Sequence, residues 1–218
     1  MTRPHLFRKT GAEVFGFDGR PTGHSLLDFW RWSVSDLVSN ATRGVVAEYI
    51  VGIALGVDFA RVRDEWQAWD LTLPNGLKIE VKSAAYVQSW EQAKPSAISF
   101  SIKGAKPENF KAGEEVAYVR HSDVYVFCLL AHEDPATIDP MKLEQWRFWS
   151  VATRVVDGYE RSRHSITVPS LNRLVAHCPD GAAGPMTWQD LSASVLRHPV
   201  KDAQRFACGR RSLPDAVD

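Results

Sequence analysis

The sequence has no surplus of charge of either sign: its 218 residues hold 26 Lys and Arg against 26 Asp and Glu. Proteins that coat nucleic acid non-specifically draw their affinity from phosphate neutralisation and carry a basic excess. Any nucleic-acid contact by this chain must therefore come from a local basic patch. Long apolar runs are also lacking. None reaches the ~20 residues of a membrane span, and the opening MTRPHLFRKT has no apolar core of the secretory type. The expectation is a cytoplasmic protein with no membrane partner. Cysteine is scarce, and Cys128, Cys178 and Cys208 are far apart with no CxxC pair, which argues against a zinc site or a disulfide framework. A Walker A loop, a dinucleotide glycine fingerprint and a GxSxG elbow are all missing, so ATPase, dehydrogenase and serine-hydrolase readings lose their usual support. No internal repeat or low-complexity stretch is found.

What is present is ordinary globular material, enough for one sizeable α/β domain. Residues 1–24, rich in Gly, Pro and Arg, read as a loosely ordered arm; 25–196 as a single domain; and 197–218 as a polar, basic tail. Between 25 and 38, Leu26, Phe29, Trp30, Val34 and Leu37 recur at helical spacing. Ser39 and Asn40 are good helix caps, predicting a second helix over about 41–55. The period then changes. Residues 66–73 and 77–81 alternate like strands about Pro74-Asn75-Gly76, a hairpin signal, and 97–103 alternates strictly. The run VYVFCLL at 124–130 is continuously apolar, as a central buried strand should be, and Cys128 within it reads as a small core residue. Residues 144–151 suggest a further strand, and helices are expected near 169–177 and 187–196. Trp30, Trp32, Trp66, Trp69, Trp146 and Trp149 fall in these elements and read as core.

The chemistry is concentrated between Asp70 and Lys82. On a strand, Glu80 and Lys82 project from one face, about 7 Å apart along the chain, while Ile79 and Val81 face the other way. A three-residue loop of Pro74, Asn75 and Gly76 pairs Leu73 with Leu77 and counts Asp70 back to a position opposite Glu80. A two-residue Asn75-Gly76 loop instead slips the register and turns Asp70 away. Two facing carboxylates repel unless something positive lies between them, and a hard divalent cation such as Mg²⁺ suits oxygen ligands there. Lys82 can orient or deprotonate a water held by that cation, which would also polarise a phosphoryl oxygen, the requirements of phosphodiester hydrolysis. The competing reading is a surface hairpin with a Glu80–Lys82 ion pair.

The order Asp70, then Glu80-Val81-Lys82 after nine intervening residues, resembles the PD-(D/E)XK nuclease superfamily. The resemblance spans about 40–130, with Trp69 standing where the family's name has Pro. It implies an α/β, restriction-endonuclease-like three-layer sandwich with a central mixed β-sheet flanked by helices. It also implies a metal-dependent nuclease, a DNA endonuclease using Mg²⁺, for which Mn²⁺ substitutes. Asp70 and Glu80 would bind the metal, the Val81 carbonyl would complete the set, and Lys82 would serve the water. Many members add a helix glutamate. Glu48 fits, as one carboxylate on an otherwise apolar stretch, flanked a turn away on either side by Gly44 and Gly52; its other reading is a buried ion pair with Lys82 or Arg43. Lys78, Ser83, Gln88, Lys103 and Lys106 are weaker substrate-contact candidates, and Tyr86 follows the same strand. Nucleic acid, namely DNA, is the expected partner, with a homodimer as a further expectation. The alternatives are a binding or assembly subunit that cuts only with a partner, and an RNA-cleaving enzyme.

Overall fold

The fold is built around the apolar run that the sequence places at its centre. In the computed structural model, which describes residues 6–105, 118–159, 162 and 164–200, Val124–Leu130 is a strand buried at every position. In chain order the elements are β1 (Val14–Phe17), β2 (Arg20–Ser25), α1 (Leu26–Val34), α2 (Asn40–Ala54), β3 (Leu71–Thr72), β4 (Lys78–Ala85), β5 (Ser99–Ser101), β6 (Val124–Leu130), β7 (Trp146–Ala152), α3 (Thr153–Asp157), β8 (Ser165–Thr167), α4 (Val168–His177), β9 (Ala182–Met186) and α5 (Trp188–Leu196). The main sheet has five strands in the order β3-β4-β6-β7-β9. Only β4 and β6 run parallel; the other neighbours are antiparallel, so the sheet is mixed.

Alternation along the central strands divides the core in two. Ile79, Val81, Val124, Val126, Cys128, Trp146 and Phe148 point to the side covered by α2 and α5, where Ala47, Ile50, Val51, Leu191 and Val195 meet them. Tyr125, Phe127, Leu129, Trp149 and Val151 point to the opposite side, against Val156 of α3, Leu171 of α4 and the short β5–β8 ladder. Each of these fully buried aliphatic or aromatic side chains contributes ~1.5–3 kcal/mol by leaving water. The result is an α/β architecture with helices on both faces of the sheet. No helix among the described residues is long and apolar enough to cross a membrane.

Several expectations change. Part of the expected arm is an ordered hairpin: Asp18-Gly19 is a two-residue loop with both residues at positive φ, the turn that matches strand twist. The helix after it starts at Leu26 because Ser25 and Asp28 form a capping box, yet none of its residues is buried. Helical periodicity there marks an amphipathic face without supplying a partner for it. Residues 66–70 are turns and bends, so the expected first strand of the hairpin shrinks to Leu71–Thr72. The 97–103 strand is likewise short and pairs with β8 outside the main sheet. Trp146 and Trp149 are core, but Trp32 and Trp66 are 84% and 78% exposed, because the segments carrying them pack on little else. The first residues of the expected tail pack on the domain: His198 is buried, with Nε2 hydrogen-bonded to Ser150 Oγ at 3.1 Å, and Val200 packs against the core. The strand β9 and the short α3 have no counterpart in the sequence reading.

The register of the β3–β4 hairpin is the detail on which the site depends. Leu73 N–H donates to the Leu77 carbonyl at 3.0 Å, and Leu71 and Thr72 lie opposite Ile79 and Lys78. This is the three-residue loop, with Gly76 in the left-handed region at φ 85° and its N–H on the Leu73 carbonyl. A side chain at Gly76 would meet open space, so the constraint there is purely conformational. Gly76→Ala is expected to cost ~1–2 kcal/mol, the penalty of placing an L-residue in that region. Urea unfolding should show it as a lower midpoint with an unchanged slope.

Candidate active site

The motif residues gather where β3 ends beside β4. Because β3 is only two residues long, the β4 edge beyond Ile79 lacks a strand neighbour on that side, and Asp70 fills the gap. Its backbone N–H donates to the Ile79 carbonyl at 3.0 Å, and its carboxylate accepts the Val81 N–H at 2.7 Å. The Asp70 carboxylate thus lies along the strand edge, in the plane of the ladder, rather than standing up from the Glu80 face. A strand residue directs its N–H and C=O to the same neighbour, so the Val81 carbonyl opens toward that edge too.

On the β4 face, Glu80 and Lys82 form an ion pair, both half-buried. Burial is the main influence on Asp70, and the nearby Glu80 charge is next. The Val81 hydrogen bond and the more distant Lys82 pull the other way, while Glu48 adds to the repulsion. The balance leaves the Asp70 carboxyl pushed up to about 6. The Asp70 charge is felt as far as the buried Cys128 thiol, whose ionisation is already suppressed by burial.

Glu48 is on α2, one helix away, but its partner is neither Lys82 nor Arg43. Arg63, from the irregular segment 55–70, holds both of its oxygens: Nε to Oε2 at 2.5 Å and Nη2 to Oε1 at 2.7 Å. The helix is not apolar-packed all round, since Val45, Tyr49 and Ile53 form an exposed stripe along it. Gly52 does admit a close neighbour, the Phe59 ring, whereas nothing approaches Gly44. Arg43 is buried and occupied elsewhere, by the Val38 carbonyl, Asn40 Oδ1 and Gln88 Oε1. Among the described residues, no three His, Cys, Asp or Glu side chains converge as a ready chelate. Asp70, Glu80 and Glu48 are each held by a different partner.

The weaker candidates separate. Lys78 lies with its Nζ 4.2 Å from the centre of the Trp69 ring, whose Nε1 donates to Thr72 Oγ1. Gln88 is committed to structure: its Nε2 donates to the Ala85 carbonyl and Ser96 Oγ, and its Oε1 accepts from Arg43. Ser83 and Tyr86 are half-buried, Tyr86 packing beside the second core, and Lys103 is exposed beyond β5. Lys106 lies outside the described residues. Sequence reasoning missed Arg63, because no spacing rule links a loop arginine to a helix glutamate fifteen residues earlier.

A family model described as bacteriophage T4 endonuclease IV matches residues 24–166, well over half of the chain. The chain belongs to the bacteriophage T4 endonuclease IV family. Membership makes it a nuclease, with nucleic acid as its substrate. The matched span contains Glu48, Arg63, Asp70, Glu80 and Lys82, together with α2, β3, β4, β6 and β7. The C-terminal α4, β9 and α5 fall outside it. A search among curated proteins found no match.

In this family member Asp70 should make the cation-free protein pH-sensitive. Its folded-state pKa, about 6, lies above the ~3.9 of an unfolded chain. The folded state therefore binds the extra proton between those values, and stability falls as pH rises through that window. Full loss is expected above pH ~6 and amounts to ~2–3 kcal/mol. Asp70→Asn keeps an acceptor for the Val81 N–H and removes the charge. In EDTA the variant should be the more stable protein at neutral pH and match the wild type near pH 4. Parallel stability curves across pH would rule out this electrostatic account.

Proposed function

We propose that the chain is a metal-dependent DNA endonuclease of the PD-(D/E)XK type, in which Asp70 and Glu80 bind Mg²⁺ and Lys82 orients the attacking water. The observation that carries this reading is a half-buried Asp70 carboxylate at the β4 edge beside a half-buried Glu80 on the β4 face, Asp70 pushed up to about 6 by burial and by the Glu80 charge, with Lys82 alongside. Such a pair is short of a positive charge. The donors suit a hard cation: Mg²⁺ uses one or two carboxylates plus oxygen donors and keeps several waters, so two carboxylates and the Val81 carbonyl suffice without a third side chain. When bound, Mg²⁺ or Mn²⁺ supplies Lewis acidity that polarises the scissile phosphoryl oxygen and lowers the proton affinity of the attacking water.

The remaining work belongs to the chain. Asp70, anchored by the Val81 N–H, is held at the strand edge without a flexible tether. Glu80 takes the Lys82 ammonium and restricts where it points, so Lys82 can donate a hydrogen bond that aligns a water for in-line attack. The α2–β4 packing that buries Ile79 and Val81 keeps the strand rigid beneath these groups.

The reading is tested by incubating the protein with circular and linear DNA in Mg²⁺, Mn²⁺ or EDTA. Cleavage of the circle with either metal and none in EDTA is the expected result; metal-independent cutting would overturn it. Asp70→Ala and Glu80→Ala should abolish cleavage with the circular dichroism spectrum unchanged. Full activity in either variant removes these residues from the site. Lys82→Ala should retain Mn²⁺ binding by calorimetry yet lose ~10²–10⁴-fold in single-turnover rate, the usual loss for one positioned proton-transfer or water-orienting group. A rate that simply tracks metal occupancy would make Lys82 structural.

A further inference from the structure

The Glu48–Arg63 pair is anchored at one end and open at the other. The Glu48 side chain is 12% exposed and grows from a helix, whereas the Arg63 side chain is 41% exposed and grows from an irregular loop. Both Glu48 oxygens are taken by Nε and Nη2. A guanidinium has five N–H donors, and those of Arg63 beyond these two have no partner among the described residues. The group also stands within reach of the site's charge, since Asp70 acts on it and Glu48 acts on Asp70. Three residues further along the same loop, Trp66 presents an exposed ring, a surface on which a base can stack.

A planar fork gripped along one edge by a carboxylate presents its other edge in a fixed direction, and that edge matches two phosphate oxygens. A solvent-facing arginine engaged only in an ion pair would add little stability for the ordering it requires. We infer that Arg63 contacts the phosphate backbone of the nucleic acid entering the site, and that Glu48 is its positioning residue rather than a cation ligand. The inference rests on the nuclease reading and assigns this pair to substrate binding. It also explains why Glu48 can be close enough to influence Asp70 while its carboxylate is turned to another partner.

The test measures equilibrium binding of a short DNA duplex in EDTA over a series of salt concentrations, so that neither metal nor turnover contributes. Arg63→Ala should weaken binding about tenfold at low salt and reduce the slope of log Kd against log salt by about one contact. Glu48→Gln should also weaken binding, but not when added to Arg63→Ala, because it acts through that side chain. Calorimetric Mn²⁺ affinity should be unchanged in Glu48→Gln. If Arg63→Ala fails to fold with the Glu48 charge left alone, the double variant Arg63→Gln, Glu48→Gln keeps both shapes and carries the same binding readout. Unchanged Kd and slope in the folded Arg63 variants would overturn the inference. So would a Glu48→Gln variant that loses Mn²⁺ affinity but keeps its affinity for DNA. A wild-type protein that binds no DNA at any salt concentration would remove the nuclease reading as well, whereas wild-type binding with indifferent variants removes this inference alone.

Discussion

A hydrogen bond from the Val81 N–H to the Asp70 carboxylate stands where a third rung of backbone pairing would otherwise be. Once β3 stops at Leu71, the outward N–H groups of β4 need another acceptor, and a buried donor left unpaired costs ~1–3 kcal/mol. Asp70 meets that need with a charge. The carboxylate is thereby drawn into a half-buried position beside Glu80, a position it would not occupy on electrostatic grounds alone. The placement of the Asp70 carboxylate and its raised proton affinity have the same origin.

Three acidic side chains contribute to the local field, and each is restrained by different means. A backbone amide holds Asp70, the neighbouring lysine on its own strand holds Glu80, and an arginine from a remote loop holds Glu48. An amide donor lowers the proton affinity of a carboxylate without neutralising it, whereas a lysine or arginine supplies a compensating charge. Burial and the neighbouring Glu80 charge outweigh the amide and leave Asp70 with a raised proton affinity.

Much of this was legible in the sequence, and the parts that were not have identifiable causes. Pro74-Asn75-Gly76 narrowed the register of the β3–β4 hairpin to two solutions, of which the three-residue loop is the one formed. The helix start at Ser39 followed from capping chemistry, and the central position of β6 from its unbroken apolar run. The Asp18-Gly19 turn lies in a Gly- and Arg-rich stretch whose composition reads as an arm, so the hairpin is visible only in the structure. Exposed Trp66 and Trp32 were read as core because period reports only which side a residue occupies, and nothing in a sequence states whether that side is covered. The strand β9, with Pro185 within it, has the composition of a loop and is a strand only because β7 offers it an edge. The Glu48–Arg63 pair belongs to the same class: it exists through tertiary placement.

Parallel pairing of β4 with β6 sets the order in which the site can come into being. The two strands meet in a register that joins Lys78 to Asp123, 45 positions apart, through both backbone and side chain. Non-local pairing of this kind must meet its loop-closure entropy before any contact rewards it, so it forms late relative to local turns. The β3–β4 hairpin can close early, but its outer face stays unsupported until β6 arrives. During synthesis, a chain that ends before Val124 holds Glu48, Arg63, Asp70, Glu80 and Lys82 without the central strand β6. The backbone that carries Glu80 and Lys82 therefore gains its second neighbour only once β6 has paired with β4.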